Sequence, residues 1–385
     1  KTRAWRNGEE KRQQNKFRSH FLKMGKYNIW RAGMKKVHIL TAGFTSPNGI
    51  AFLFPLIKFK KHLKNAGFDI QIRTDIDETL YDCDILCIES KYFKDHWAKN
   101  FDGTLEQIKN MSGRKDIYWF DQSDSTGTLL GQVLPFVKKY LKAQIIKDTR
   151  EYMREHYASR IFADYYHHKH GITDKDDYLR HTIKNVHDLE KISFSWNSGL
   201  MNYGWVSPYL MRILQKAPLP MFMQFSRTTA LPAKTRPKDL ACRMGISYSR
   251  ETICFQRRTI KEKLKDRIPT KKISRRAYLQ EIADSKICIS PFGLGEITLK
   301  DFEAFLRGSM LLKPDMSHMQ TWPNFFEKDK TYLAHGWDID DLEEKIEWAL
   351  RHENKRLEIA EEGQARYIRH TIGPDAGVLF AQHFK

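Results

Sequence analysis

The sequence has few cysteines and no long apolar segment, and both deficits restrict the class of protein. Its five cysteines among 385 residues are a sparse, odd-numbered set, so a disulfide scaffold is not expected and a reducing compartment is favoured. The best apolar run, Ile50 to Ile57, contains Pro55 and is much shorter than the ~18 residues that span a membrane. The N-terminal segment lacks the apolar region of a secretory signal. We therefore expect a cytoplasmic protein, with any membrane contact peripheral.

Several catalytic signatures are also absent. The chain has no GxSxG, GxxxxGK[ST] or HExxH motif, which argues against α/β-hydrolase, P-loop and zinc-protease chemistry. His156 and the histidines between His167 and His170 cluster in sequence, but their spacing does not match a zinc site. Asp121 and Asp124 loosely resemble a metal-binding pair, and an Asp-rich turn is the better interpretation. We therefore predict no metal site.

Acidic residues are too few to balance the basic ones. Lys and Arg number 66 against 47 acids, which gives a net charge of +19. The surplus is uneven: residues 1–36 contain twelve Lys or Arg and only two acids, and residues 257–276 form a second basic stretch. Such a surplus attracts nucleic acid, anionic lipid or phosphorylated substrates, or it simply keeps the surface soluble. Charge alone leaves these alternatives open.

Apolar runs alternate with helical patterns, and this predicts a mostly parallel α/β sheet in each half of the chain. A Pro-containing stretch without hydrophobic periodicity, Ser226 to Asp239, is the expected linker between the halves. For the middle of the chain, residues 145–225, the sequence predicts helical stretches, such as residues 148–171, but not the order of its helices and strands. The strands predicted before the linker are Lys35–Phe44, residues 68–74, Asp82–Ser90 and Lys115–Asp124.

One block of the second half carries the residues that are best suited to chemistry. A strand, Lys286 to Ser290, opens into the loop PFGLGE, and a helix is expected to begin near Thr298. Glycines let backbone amides approach a ligand, the start of a helix favours phosphate, and carboxylates accept hydrogen bonds from sugar hydroxyls. The loop and helix therefore predict a nucleotide-sugar cradle, although such units are common and the second acid could be a surface residue. The glycines and acids are Gly293, Gly295, Glu296 and Glu303.

This block resembles the donor-binding signature of GT-B glycosyltransferases of the group 1/family 4-like set and their CgeB-like relatives. The resemblance covers about residues 245–370 well, and the N-terminal half only in general layout. It implies that Glu303 binds the ribose of the donor and that Glu296 contacts the donor sugar, although the spacing to Glu296 is one residue shorter than usual. The matching pieces are Ser290-Pro291, Gly293 to Glu296, Glu303-Ala304, Gly308 and SMLLKPD.

The resemblance also implies basic residues that neutralise the donor diphosphate. The usual GR…KG pattern is absent, so Arg250 and Arg257 are the nearest replacements, with Arg243 and Arg258 as competitors. A guanidinium fork suits a diphosphate. Arg250 and Glu296 would then be the catalytic residues. The remaining predicted donor contacts are Lys300, Lys313 and Gly43.

The implied fold is GT-B, an α/β fold with two Rossmann-like domains that face each other across a cleft. The implied reaction transfers a sugar from a nucleotide-sugar to a glycan or lipid-linked glycan, with retention favoured and no metal or other cofactor. Surface polysaccharide or glycoconjugate synthesis is the expected setting, and a basic leader would hold the enzyme near an anionic membrane. The predicted divisions are residues 1–34, the leader; 35–230, the acceptor-binding domain; 231–360, the nucleotide-sugar-binding domain; and 361–385, a C-terminal helix that packs back on the N-terminal domain.

Two alternatives remain at this stage. The first is a basic nucleic-acid-binding protein, which the charge favours but which no known binding module supports. The second is a GT-B scaffold that has lost activity and only binds glycans.

Overall fold

The computed structural model describes residues 33–175, 182–204, 207–216, 220–227, 229–265, 267, 269 and 272–385. Residues Lys35–Lys385 form one compact unit. The predicted basic leader lies almost entirely outside the described residues, so its role stays a prediction.

The first half of the chain forms a six-stranded parallel sheet. One of its inner strands is the apolar strand that the sequence predicted from Lys35, in which Ile39 lies opposite Ile72 on one side and Cys87 on the other. The first, third and fourth strands in chain order are nearly continuously buried, as expected where both faces of a parallel sheet are covered. The strands of this half are β1 Lys35–Leu40, β2 Phe68–Arg73, β3 Ile85–Glu89, β4 Ile117–Asp121, β5 Lys139–Lys142, β6 Gln144–Ile146 and β7 Ile192–Phe194. The order in the sheet is β2-β1-β3-β4-β5-β7.

The helices of the first half differ in two places from the helical patterns in the sequence. The helical spacing of residues 50–67 predicts one helix that ends at Gly67, but the structure divides this segment at Phe59. The helical stretch from residue 148 is an α-helix only from Ile161, because Ala158 and Ser159 both have a φ of 54°, and a right-handed helix cannot pass through that left-handed region. The helices are α1 Pro47–Lys58, α2 Lys60–Asn65, α3 Lys94–Lys99, α4 Phe101–Arg114, α5 Ile161–His170 and α6 Ser207–Lys216.

The second half contains a four-stranded parallel sheet. The strand expected over DLACRMGISY is shorter than its apolar pattern suggests and ends at Ala241. The strands are β8 Lys238–Ala241, β9 Ser285–Ile289, β10 Met310–Pro314, β11 Met319–Thr321 and β12 Leu333–His335, and the sheet order is β12-β10-β9-β8. The helices are α7 Glu251–Lys263, α8 Arg275–Asp284, α9 Leu299–Leu306, α10 Leu342–Arg351, α11 Glu353–Thr371 and α12 Ala376–Phe384.

The two halves are connected by strand pairing and by ring packing. Strand β6 of the first half pairs antiparallel with β11 of the second, with Ile146 opposite Met319. The last helix, α12, lies on the first half, where the ring of Phe384 is 5.2 Å from that of Phe68. The segment 229–237, within the expected linker, contains no helix or strand. The predicted α/β class, with a parallel sheet in each half, is confirmed, whereas the GT-B assignment and the limits 35–230, 231–360 and 361–385 stay predictions.

Candidate functional site

The loop after β9 is fixed by a buried ion pair at the start of α9. Thr298 caps this helix, and its backbone amide donates to Asp301 Oδ2 at 2.9 Å. The other Asp301 oxygen accepts from Ser290 Oγ at 2.6 Å. Lys313 Nζ lies 2.9 Å from Asp301 Oδ2, and both side chains are fully buried. The loop is thus held at both ends by one carboxylate.

This arrangement adds a residue to the predicted phosphate seat. The start of α9 was predicted to favour phosphate, which stays a prediction, and the structure shows that the side chain of Asp301 accepts from the Thr298 amide there. The sequence analysis missed Asp301, although Thr298 and Asp301 have the spacing of a capping box. Burial lowers the pKa of Lys313, and Asp301 opposes that shift. A direct contact between Lys313 and phosphate stays a prediction and would require this ion pair to separate.

Glu296 connects the two halves of the molecule. Its carboxylate is fully buried and accepts from the Thr126 backbone amide at 3.0 Å and from Thr126 Oγ1 at 2.5 Å. Ser125 Oγ and His318 Nε2 lie at 3.4 Å. Burial alone would raise the pKa of Glu296, but the hydrogen bonds from His318 and Thr126 outweigh it and the pKa lies below its ordinary value. The carboxylate is therefore ionised and held inside the interface.

The glycines of the loop are not equivalent. A Cβ at Gly295 would lie 1.6 Å from the carbonyl oxygen of Asp124, so the loop approaches the first half too closely for any side chain. A Cβ at Gly293 would make only ordinary contacts, the nearest with Arg257 at 3.6 Å. The structure thus requires a glycine at position 295. There the loop closely approaches the backbone of the first half, whereas the sequence predicted a close approach to a ligand.

The second acid, Glu303, is paired with an arginine that the sequence analysis missed. Its carboxylate is 4% exposed and accepts from Arg275 Nη1. Arg275 also donates to the carbonyl of Tyr203 at 2.9 Å. Burial raises the pKa of Glu303, and Arg275 and Tyr278 oppose the shift. One turn earlier on α9, Lys300 Nζ donates to the carbonyl oxygen of Arg243.

The candidate arginines occupy different environments. The guanidinium of Arg257 is buried and donates to the carbonyls of Phe292 and Gly245, at 2.8 and 3.0 Å. It therefore holds the loop in place. Arg250 instead lies just before α7 and lines a cavity of about 320 Å³ whose other wall residues come from the first half. The competitors Arg243 and Arg258 are ion-paired with Glu281 and Glu251.

The cavity beside Arg250 lies at the carboxyl ends of β3 and β4, the edge of a parallel sheet where ligands bind in open α/β folds. Its wall includes Arg160, another residue that the sequence analysis missed. Arg160 Nε donates to the carbonyl of Leu294 at 2.7 Å, so the cavity and the Gly-containing loop share a wall. Only the aromatic and basic character of residues 148–171 pointed to this segment.

Gly43 lies in the loop after β1 and has a φ of 72°. Its amide donates to Thr41 Oγ1 at 3.1 Å, and that hydroxyl donates to Glu89 Oε2 at 3.2 Å. Burial raises the pKa of Glu89 to about 7, although hydrogen bonds from Lys91 and Thr41 oppose the shift. A role for Gly43 in donor binding stays a prediction.

The described residues contain neither a metal-binding cluster nor a membrane-spanning helix. No three or more of their His, Cys, Asp and Glu side chains form a group that could hold a metal ion. None of their helices has the length and apolar character needed to cross a membrane. The five cysteines are buried and free.

Comparison with known proteins gives a match for the second half of the chain. Residues 260–373, which include the loop and α9, match a family model described as glycosyl transferase-like. The predicted resemblance to glycosyltransferases is confirmed over this segment, whereas the CgeB-like subtype stays a prediction. No curated protein sequence matches the chain significantly.

The chain also resembles several solved structures at low identity. HepE of Anabaena, in complex with UDP-glucose, is 8% identical with a TM-score of 0.41, and the match covers 91% of this chain and 99% of that chain. A DNA-modifying β-glucosyltransferase, solved with and without uridine diphosphoglucose, is 14% identical with a TM-score of 0.40, covering 91% and 98%. A glycosyltransferase from Rickettsia africae is 11% identical with a TM-score of 0.42, covering 93% and 100%.

Proposed function

We propose that this protein transfers a sugar from a nucleotide-sugar donor to a glycan or lipid-linked glycan acceptor, with retention at the anomeric carbon and without a metal ion. The oxygen of an acceptor hydroxyl forms the new bond to the anomeric carbon, the bond from that carbon to the diphosphate oxygen breaks, and the hydroxyl proton passes to the nucleoside diphosphate that leaves. Surface polysaccharide or glycoconjugate synthesis is the setting that the resemblance implies.

The observation that carries this proposal is the match of residues 260–373 to glycosyl transferase-like sequences. The matched segment contains the loop from Gly293 to Glu296 and helix α9 with Glu303. Arg250 supports the proposal from outside that segment, since it lines a cavity between the halves. Negative charge develops on the leaving diphosphate, and a preorganised guanidinium stabilises such charge.

Donor binding must change contacts that the described structure contains. Glu303 is paired with Arg275 and is 4% exposed, so ribose hydroxyls reach it only if that pair opens or shifts. We assign Glu303 to the ribose because a carboxylate accepts two hydroxyl hydrogen bonds. Glu296 contacts the donor sugar in this proposal only after its bonds to Thr126 have loosened.

A thermal-shift screen across UDP-, GDP-, CMP- and dTDP-sugars tests the proposal, because a ligand that binds the native state raises Tm. We expect one nucleotide class to stabilise the wild-type protein and to stabilise Glu303→Ala much less. Glu358→Ala is the matched control, because Glu358 is an exposed acid of α11 paired with Lys355. Stabilisation without sugar transfer to any acceptor would support the inactive scaffold instead. Absence of any shift would contradict the proposal.

A further inference from the structure

The cavity beside Arg250 contains more positive charge than the catalytic proposal uses. Its wall includes four basic residues, and its one acid among the described residues is Asp121. The charge of Asp121 is already matched, since Lys142 Nζ lies 2.8 Å from it and both are almost completely buried. The four basic residues are Lys91, Lys94, Arg160 and Arg250.

The guanidinium of Arg160 is rigidly held and one of its nitrogens is available. Nε donates to Leu294 and Nη1 donates to the carbonyl of Ala158 at 3.0 Å. Nη2 has no hydrogen-bond acceptor within the part of the chain that the structure describes. Burial lowers the pKa of Arg160 to about 10, with a further contribution from Arg250, so the group is still charged at neutral pH. A charged guanidinium with an available N–H is a suitable partner for a phosphate oxygen.

The two lysines add further positive charge to the cavity. Neither the Lys91 nor the Lys94 ammonium forms a hydrogen bond or an ion pair with a described residue, although Lys91 attracts the buried carboxylate of Glu89 and opposes the rise of its pKa. Both lysines follow β3, and Trp97 of α3 also lines the cavity. Leu129 and Leu130 are further lining residues. The cavity therefore combines basic side chains with apolar and aromatic ones.

Two further features indicate a binding site and not a packing defect. Ala158 and Ser159 line the cavity with consecutive left-handed backbone conformations, and such strain concentrates at functional sites. Trp119, which is fully buried, lines the same cavity, and its indole Nε1 has no hydrogen-bond partner among the described residues. A buried donor without an acceptor is unfavourable unless a ligand or water satisfies it. The volume of about 320 Å³ lies within the range of small-molecule sites.

We propose that this cavity binds the phosphate group of a phosphorylated acceptor. The phosphate lies against Arg160, with Lys91 and Lys94 as further cationic partners, and the remainder of the acceptor packs on Trp97, while Arg250 faces the donor diphosphate as proposed above. The identification of the ligand as an acceptor rests on the proposed function, but the presence of an anion site does not. Guanidinium groups bind phosphate through charge-assisted hydrogen bonds, which suits Arg160 to this role.

The primary test measures the binding of inorganic phosphate, against chloride at equal ionic strength, to the wild-type protein and to a Lys91→Gln/Lys94→Gln variant. These lysines are not buried, so the protein should stay folded. We expect the dissociation constant for phosphate to rise roughly fivefold or more. The matched control is Lys60→Gln/Lys61→Gln, because both lysines are exposed on α2. Equal losses in the two variants, or no phosphate binding by the wild type, would overturn the proposal.

A second experiment tests whether phosphate binds at an acceptor site that is distinct from the site of the donor diphosphate. Phosphate binding is repeated with the nucleoside diphosphate that gives the largest Tm increase at saturation. We expect the phosphate affinity to stay within about twofold, and displacement of phosphate would overturn the assignment to the acceptor. If no nucleotide stabilises the protein, the proposed transferase function fails, whereas the phosphate site is still decided by the first experiment. The affinities for a hexose phosphate and a short alkyl phosphate are then compared. Tighter binding of the first would indicate a sugar phosphate as the acceptor, and tighter binding of the second a lipid phosphate.

Discussion

Replacing Glu296 probes the contact through which the Gly-containing loop is attached to the first half of the molecule. Glu296→Ala removes a buried carboxylate and leaves the Thr126 amide, now 3.0 Å from that carboxylate, without its acceptor. An unsatisfied buried donor is unfavourable by about 1–3 kcal/mol, and the lost side-chain volume adds a cavity penalty. Removing a desolvated charge offsets part of this. We therefore expect the free energy of unfolding to fall by about 2–4 kcal/mol.

Glu296→Gln is the sharper substitution because it keeps the shape and removes the charge. The amide oxygen still accepts from Thr126, so we expect a smaller loss, about 1–2 kcal/mol. The loss should depend on pH. The pKa of Glu296 is lowered in the folded protein from 4.5, so its charge stabilises the fold above pH 4.5 and this contribution disappears as pH falls through the lower folded pKa. The difference between wild type and Glu296→Gln should therefore be largest near neutral pH and shrink in acid.

Urea denaturation at several pH values measures this difference directly. The control is Glu358→Gln, which removes an exposed charge on α11 and should change the unfolding free energy by less than about 0.5 kcal/mol. A constant difference between wild type and Glu296→Gln from neutral to acid pH would refute the reasoning. So would a change below about 1 kcal/mol for Glu296→Ala, since the interface would then not depend on this carboxylate.

Four other predictions follow from single contacts. Glu303→Ala should weaken donor binding by roughly 1.5–3 kcal/mol, as measured by calorimetry, and unchanged affinity in a folded variant would contradict the assignment of the ribose. Arg250→Ala should lower kcat/KM on a small soluble acceptor roughly 100-fold, whereas deletion of residues 1–34 should spare that assay and weaken binding to anionic vesicles by about 1 kcal/mol per lost basic residue; equal losses in the soluble assay would contradict this. Gly295→Ala should destabilise the fold because its Cβ would lie 1.6 Å from the Asp124 carbonyl. Gly113→Ala, in open space on α4, should instead stabilise the fold by about 0.5–1 kcal/mol. If urea denaturation showed Gly295→Ala to be the more stable of the two variants, this prediction would be wrong. A carboxyl whose folded pKa is raised, such as Glu89, stabilises the fold fully only below its unfolded pKa, so the stability of the wild-type protein should fall as pH rises from 4.5 to about 7. Glu89→Gln should not show this fall. A variant with the same pH profile as the wild type would contradict the role of the burial of Glu89.

The parallel strands and the loop before α9 could be predicted because their signals are local. Apolar runs such as that from Lys35 and the change to helical spacing after Thr298 depend only on neighbouring residues. The limits of α5 could not be predicted, because the left-handed backbone at Ala158 and Ser159 has no glycine or asparagine to mark it. One partner of this backbone is distant in sequence, since Thr128 Oγ1 donates to the carbonyl of Ser159 from 31 positions away.

The candidate site was predicted in part. The spacing of Glu296 and Glu303 located the loop and the helix, but it could not reveal that Thr126 and Arg275 are their partners. Those contacts join residues 170 and 28 positions apart, and a single sequence carries no signal for such pairs. Arg160 was missed for the same reason: its partner Leu294 lies 134 positions away. Sequence motifs thus identified the acids, while the fold determined what each acid contacts.

The central claim is that the protein transfers a sugar and that Glu303 binds the donor for this reaction. An assay of both products, the glycosylated acceptor and the released nucleoside diphosphate, tests it most directly. Wild-type protein and Glu303→Ala are each incubated with the stabilising nucleotide-sugar and with a panel of phosphorylated and unphosphorylated acceptors. Mass spectrometry then follows the acceptor while the released nucleoside diphosphate is quantified. The account predicts that, with the wild-type protein, diphosphate release is matched by a mass gain on a phosphorylated acceptor, and that both are strongly reduced in Glu303→Ala. Folded wild-type protein that releases no diphosphate from any donor, or a Glu303→Ala variant with full activity, would contradict it.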